Sequence, residues 1–139
     1  MKNKIVIKRG SLADVPRIIN FVVQWMRNNQ LERLSFYIET AVDEAVTNVF
    51  THGYAGKGGY ISVRCQITGN DIEIIINDKG IQFDPAKVPL PDLNSNLQDR
   101  RVGGLGIYIM RRVMDAVEYN FHAISGNELT LRKKIPAEG

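Results

Sequence analysis

Between Ile38 and Tyr54 the apolar residues Ile38, Ala41, Val42, Ala45, Val46, Val49 and Phe50 recur at the spacing i, i+3, i+4, i+7, i+8. Only a helix gathers such positions on one face, so the stretch is predicted to be an amphipathic helix seated on a core. A stripe this continuous must be covered, and the remaining elements are constrained to supply the cover. At its edge, one turn apart, stand Glu44 and Asn48, with His52 a further turn along. Two readings of that edge are open. It either begins a solvated face, the commoner case for a single helix, or it holds a carboxylate and an amide towards a cleft.

The candidate cover lies downstream. From Tyr60 to Thr68 the chain alternates strictly, Ile61, Val63, Cys65 and Ile67 on one side and Ser62, Arg64 and Gln66 on the other. Gly69-Asn70 reads as a tight hairpin turn, and the return strand Ile72–Asn77 runs into Asp78-Lys79-Gly80. Upstream, the β-branched Lys4–Lys8 is predicted as an opening strand. Ser11 and Asp14, with Pro16 in the first turn, then introduce a second amphipathic helix built on Val15, Ile18, Ile19, Val22, Val23 and Met26, which Asn28 and Asn29 help to end. Trp25 lies on its flank, either covering core or offered to a partner. After Gly53 comes the Gly-rich connection Ala55–Gly59. From Asp84 to Arg101 periodicity disappears among Pro85, Pro89, Pro91 and mixed charges, and a connection of that length is usually a functional lid. Val102-Gly-Gly-Leu-Gly106 opens a helix carrying Ile107, Met110, Val113 and Met114. Strands over 117–124 and 129–135 follow, joined at Ser125-Gly-Asn127. The order β-α-α-β-β-lid-α-β-β specifies an α+β two-layer sandwich, helices on one face of a mainly antiparallel sheet. At 139 residues one domain spanning the chain is expected.

Composition removes several function classes. A net charge of +3 suits a polyanionic ligand, but basic residues form neither long runs nor aromatic-interleaved stripes, so direct nucleic-acid binding is not expected. Cys65 is the single cysteine, which excludes an intrachain disulfide framework and a cysteine-based zinc site; its place in the alternation marks it as a small buried hydrophobe. No leader and no apolar run of membrane length is present, so a cytoplasmic protein is expected.

Three features sit at the ends of elements, where sites are commonly built. Gly103, Gly104 and Gly106, with Leu105 between them, precede a helix whose N-terminal N–H groups carry partial positive charge, and glycines let a phosphate approach that backbone. No strand directly precedes them and no Gly-Lys-Ser/Thr ending follows, so the segment is neither a dinucleotide fingerprint nor a P-loop. Alone, it serves equally as a lid hinge. Asp78 at a strand end is a turn former or, with Gly80 letting a base lie on the backbone, an acceptor for the exocyclic amine of a purine. Asn48 offers a neutral oxygen suited to magnesium, and Glu44 beside it can order or deprotonate a hydroxyl.

Together and in this order the three features resemble the GHKL ATPase superfamily and its Bergerat nucleotide fold, a histidine-kinase-like ATPase sandwich on a mainly antiparallel mixed sheet. Within it, Asp43-Glu-Ala-Val-Thr-Asn48, Asp78-Lys-Gly-Ile-Gln-Phe-Asp-Pro85 and Gly103-Gly-Leu-Gly-Ile-Tyr-Ile-Met-Arg-Arg-Val-Met-Asp115 are similar to the small anti-sigma regulatory serine kinases, a likeness covering about residues 5 to 135. The resemblance implies that Glu44 is the general base, that Asn48 holds Mg2+ against the ATP phosphates, and that Asp78 and Gly80 meet adenine. It further implies that Gly103, Gly104, Leu105 and Gly106 wrap the phosphates and that residues 86–102 form the ATP lid. The implied partners are a STAS-domain anti-anti-sigma protein phosphorylated on serine, a sigma factor that is sequestered, and a second copy of the chain. Two departures stand out. Gln82 occupies the second glycine position of the wider superfamily's Asp-x-Gly-x-Gly, although this kinase branch often has the form found here. Near Gly126, where many relatives carry threonine, this chain has Asn127-Glu128, so a nucleotide contact from the last hairpin does not carry over. His52, continuing the Glu44–Asn48 row, and Arg100-Arg101 in the lid are secondary phosphate candidates, each more commonly structural or solvated. Two other functions compete. An ATP-binding interaction module without catalysis needs only Asn48, Asp78 and the glycines, whereas a detached histidine-kinase domain lacks a phosphoacceptor histidine in the N-terminal helix.

Overall fold

Helical spacing and alternation sort into two layers in a computed structural model that describes residues 2–82 and 104–137. The strands are β1 (Lys4–Gly10), β2 (Gly59–Thr68), β3 (Asp71–Asp78), β4 (Ala116–His122) and β5 (Gly126–Lys134), and the helices are α1 (Val15–Asn28), α2 (Ser35–Asn48) and α3 (Gly104–Val113). The sheet order is β1-β2-β3-β5-β4. All four pairings are antiparallel, so the expected sandwich is present with a sheet antiparallel throughout, and not only mainly so, among the described residues. The lid stretch 86–102, Gly103, Arg100 and Arg101 lie outside those residues.

The core forms where the two periodicities meet. Ile61, Val63, Cys65, Ile72, Ile74, Ile76 and Leu131 turn one sheet face towards Ile18, Val22 and Met26 of α1, Ile38, Val42 and Val46 of α2, and Ile107 and Met110 of α3, all buried. Each fully buried Ile or Leu contributes about 1.5–3 kcal/mol of transfer free energy, so register on this face is strongly specified. Trp25, 8% exposed, belongs to this core and is not offered to a partner. On the opposite face Glu73 accepts hydrogen bonds from Gln66 (2.7 Å), Thr68 (3.1 Å) and Arg132 (2.7 Å), a polar cluster that needs no helix cover. Among the described residues no helix is long and apolar enough to cross a membrane.

The end of α1 carries a local conflict. Gln30 takes φ 59°, while Leu31 N–H donates to Met26 C=O at 2.8 Å and Gln30 N–H to Arg27 C=O at 3.1 Å, the pair of bonds that closes a helix through a left-handed residue. Glycine holds that conformation without the Cβ penalty of about 1–2 kcal/mol. Gln30→Gly is therefore expected to raise the thermal midpoint by roughly 2–4 °C, read by a circular dichroism melt; a lower midpoint would overturn this account of the cap.

Candidate functional site

Asn48 sits at the last residue of α2, where the buried positions Ile38, Ala41, Val42, Ala45 and Val46 fix the rotation of the helix. It is 8% exposed, and its Nδ2 has no hydrogen-bond partner among the described residues. A buried amide left this way costs roughly 1–3 kcal/mol, a cost that a bound ligand removes. One turn earlier, Glu44 is half-buried; desolvation, reinforced by the charge of Asp43, raises its pKa above the usual carboxylate range.

The first turn of α3 comes down on this pair. A Cβ on Gly106 would lie 2.8 Å from Glu44 Oε2 and 3.2 Å from Asn48 Nδ2, so the absence of a side chain there keeps open the space into which the ends of these two side chains reach. Gly104 and Leu105 belong to the same turn. The N–H groups of a helix's first turn have no intrahelical acceptor and carry the positive end of its dipole. A carboxylate, an unpartnered amide and a cationic helix end thus converge on one point.

Beyond Asn48 the helix widens into a π turn, Val49–Gly53, closed by Tyr54 N–H donating to Val49 C=O at 2.9 Å. A π turn adds a residue per revolution, so Gly53, and not His52, follows Asn48 into the cleft. The expected continuation of the Glu44–Asn48 row through His52 fails for this reason. Gly53 in turn packs on Gly80, whose Cβ would lie 2.6 Å from the Gly53 carbonyl carbon and oxygen, and Gly53 C=O accepts from Ile81 N–H at 2.8 Å. Gly80 is demanded by this backbone crossing, a reason additional to any ligand.

Asp78, 7% exposed, ends β3 at the far side of the same cleft. Its Oδ1 accepts from Gly80 N–H at 2.8 Å and from Asn127 Nδ2 at 3.0 Å. Burial pushes the carboxyl pKa up, and these two donors pull against that shift. The cleft between Asn48 and Asp78 is walled by Ala45, Val49, Ile76, Ile107, Met110 and Leu129, with Tyr119 and Asn127 on the β4–β5 side. Apolar walls with one buried acceptor suit a flat heterocycle that carries a donor at its edge.

Of the predicted residues, Asn48 and Asp78 line one cleft; Glu44 and Gly106 meet beside Asn48, Gly80 packs on Gly53, and Gly104 and Leu105 share the turn of Gly106. Sequence reasoning missed Gly53, Tyr119 and Asn127. The last hairpin was expected to turn at 125–127, but β5 starts at Gly126, with φ 93° and its backbone so close to Asp78 that a Cβ would lie 2.3 Å from the Asp78 carbonyl oxygen. That shift pairs Asn127 with Asp78 across the sheet, so the hairpin does reach the cleft. Thr130 pairs instead with Ile75, away from it.

Comparison with known proteins adds an independent finding. Residues 9–133 match the family described as histidine kinase-like ATPase domain. The chain is 32% identical over 99 residues to an anti-sigma F factor of Clostridium novyi, covering 70% of this chain and 69% of that protein. It is 37% identical over 103 residues to an anti-sigma F factor of Thermoanaerobacter pseudethanolicus, covering 73% and 71%. To the serine-protein kinase RsbW of Staphylococcus aureus it is 36% identical over 104 residues, covering 70% and 64%.

Proposed function

Because the chain belongs to the histidine kinase-like ATPase family, among its anti-sigma regulatory kinases, we propose that it is a single-domain, ATP- and Mg2+-dependent protein-serine kinase that phosphorylates a STAS-type anti-anti-sigma protein and sequesters a sigma factor. The observation that carries the proposal is the convergence of Glu44, Asn48 and the first turn of α3, measured by the space that a side chain on Gly106 would fill. Partner switching of this kind places the protein in the cytoplasm, with a second copy of the chain as a further partner.

The residues fit the group they are asked to hold. The unpartnered Nδ2 of Asn48 can donate to a phosphate oxygen, and the amide's Oδ1 is a hard neutral ligand for magnesium. When bound there, magnesium offsets the charge of the nucleotide phosphates. Asp78 accepts the amine of adenine between apolar walls, and Gly103, Gly104, Leu105 and Gly106 surround the phosphates with N–H donors. Residues 86–102 are assigned as the ATP lid by the family resemblance alone. Glu44 then accepts the proton of the substrate serine hydroxyl as its oxygen attacks the γ-phosphorus. The P–O bond to the bridging oxygen breaks, and ADP leaves. The chain's contribution is position and fixed charge.

Incubation with γ-labelled ATP, magnesium and each STAS protein of the source organism tests this function. Label on a serine of one of them is expected. ATP bound without label on any of them would favour the non-catalytic interaction module.

A further inference from the structure

The β4–β5 hairpin supplies a device that the glycine and Asp motifs do not contain. Asn127 is 5% exposed, and its amide is held on every side. Nδ2 lies 3.0 Å from Asp78 Oδ1, 3.1 Å from Gly80 C=O and 3.2 Å from Ile81 C=O, while Oδ1 accepts from the hydroxyl of Tyr119. The two carbonyls accept and cannot donate, so the nitrogen has to face them, and the oxygen has to face Tyr119. The amide has one possible orientation. Facing Asp78 it is a donor, and the carboxylate opposite must accept.

The consequence falls on Asp78. Among the described residues both of its donors, Gly80 N–H and Asn127 Nδ2, converge on Oδ1. Oδ2 is left without one, on a residue only 7% exposed that lines the cleft. We propose that Tyr119 and Asn127 are positioning residues for base specificity: they lock Asp78 with Oδ1 engaged and Oδ2 presented to the cleft as an obligate acceptor, so that the site takes a 6-amino purine and rejects a 6-keto purine. The inference rests on the nucleotide-binding reading and names what chooses its base. A 6-amino group donates to Oδ2; a 6-keto oxygen there meets a second acceptor in a desolvated site, which is strongly unfavourable.

Removing the lock frees the carboxylate to rotate. It also removes a donor that opposes protonation of Asp78, and a protonated carboxyl donates to a 6-keto oxygen. Selectivity collapses by both routes.

The test measures Kd for ATP and for inosine triphosphate, which differ at the 6 position, on the full chain by isothermal titration calorimetry. The parent is expected to prefer ATP. In Asn127→Leu the ratio of the two constants should fall about tenfold, in Tyr119→Phe about threefold, and Asn127→Thr, keeping one donor, should recover part of the loss. Thermal melts of the ligand-free variants establish that each is folded. A merely structural role weakens both nucleotides together, so an unchanged ratio in folded Asn127→Leu and Tyr119→Phe overturns the proposal. Failure of the underlying reading looks different: the parent itself binds neither nucleotide, and the inference falls with it.

Discussion

Glu44→Gln is expected to reduce phosphoryl transfer by about 10²–10⁴-fold, with nucleotide affinity changed by no more than roughly threefold. Gln preserves the length and shape of the side chain beside Gly106, so packing between α2 and α3 is retained, while the capacity to take a proton is gone. Alanine would confound the result by opening space at the contact with Gly106. The pH dependence gives a second readout. A base works in its deprotonated form, and burial together with Asp43 holds the Glu44 pKa above the ordinary carboxylate range. The parent's rate should therefore rise with pH along a limb displaced upwards from that range, and the Glu44→Gln variant should lack the limb. Single-turnover transfer from labelled ATP across a pH series checks both. Full activity in the folded variant would remove Glu44 from the chemistry; with binding intact it would require the proton to leave by another route.

The residues that the sequence exposes and those that it hides differ in how they are determined. The spacing of Ile38 to Phe50, the alternation of Tyr60 to Thr68 and the Gly69-Asn70 dipeptide are local patterns, so α2, β2 and the turn after it could be placed from them; Glu44, Asn48 and Asp78 were located on those elements, while their roles came from the family resemblance. What α2 does after Asn48 was not local. The π turn that puts Gly53 in the cleft instead of His52 is stabilised by the crossing of Gly53 on Gly80 and by Ile81 N–H on Gly53 C=O, contacts made by residues far apart in the chain. The same holds at the last hairpin. Ser125-Gly-Asn127 has turn composition, yet Gly126 is wanted for its close approach to Asp78, and the turn moves upstream to admit it. Asn127 was visible only as a departure from a familiar threonine; the register with Asp78 is what gives it a role. Trp25 could not be assigned because its flank position is compatible with either side until the helices pack.

Gly106→Ala separates stability from function more sharply than any other substitution in the cleft. Glycine inside α3 costs about 1 kcal/mol relative to alanine, so the variant gains intrinsic helix stability. The added Cβ would lie 2.8 Å from Glu44 Oε2, but that oxygen ends a flexible side chain and can rotate away at small cost. The Asn48 amide, 3.2 Å away on a shorter side chain of a residue only 8% exposed, has less room to yield. The fold is expected to tolerate the methyl group, with a thermal midpoint unchanged or raised by roughly 2–4 °C. Function should not tolerate it. The methyl group occupies the point where the carboxylate, the amide and the helix end converge, and it turns Glu44 away from a reacting hydroxyl; misplacement of that order costs about 100-fold or more in transfer. ATP affinity should fall as well, because the phosphates approach the backbone where the methyl group now stands. Circular dichroism melts, calorimetric binding and single-turnover transfer on one preparation decide the matter. A folded Gly106→Ala variant that binds and transfers like the parent would show that the contact between α2 and α3 is packing alone. A variant stable but inert would place the chemistry at that contact.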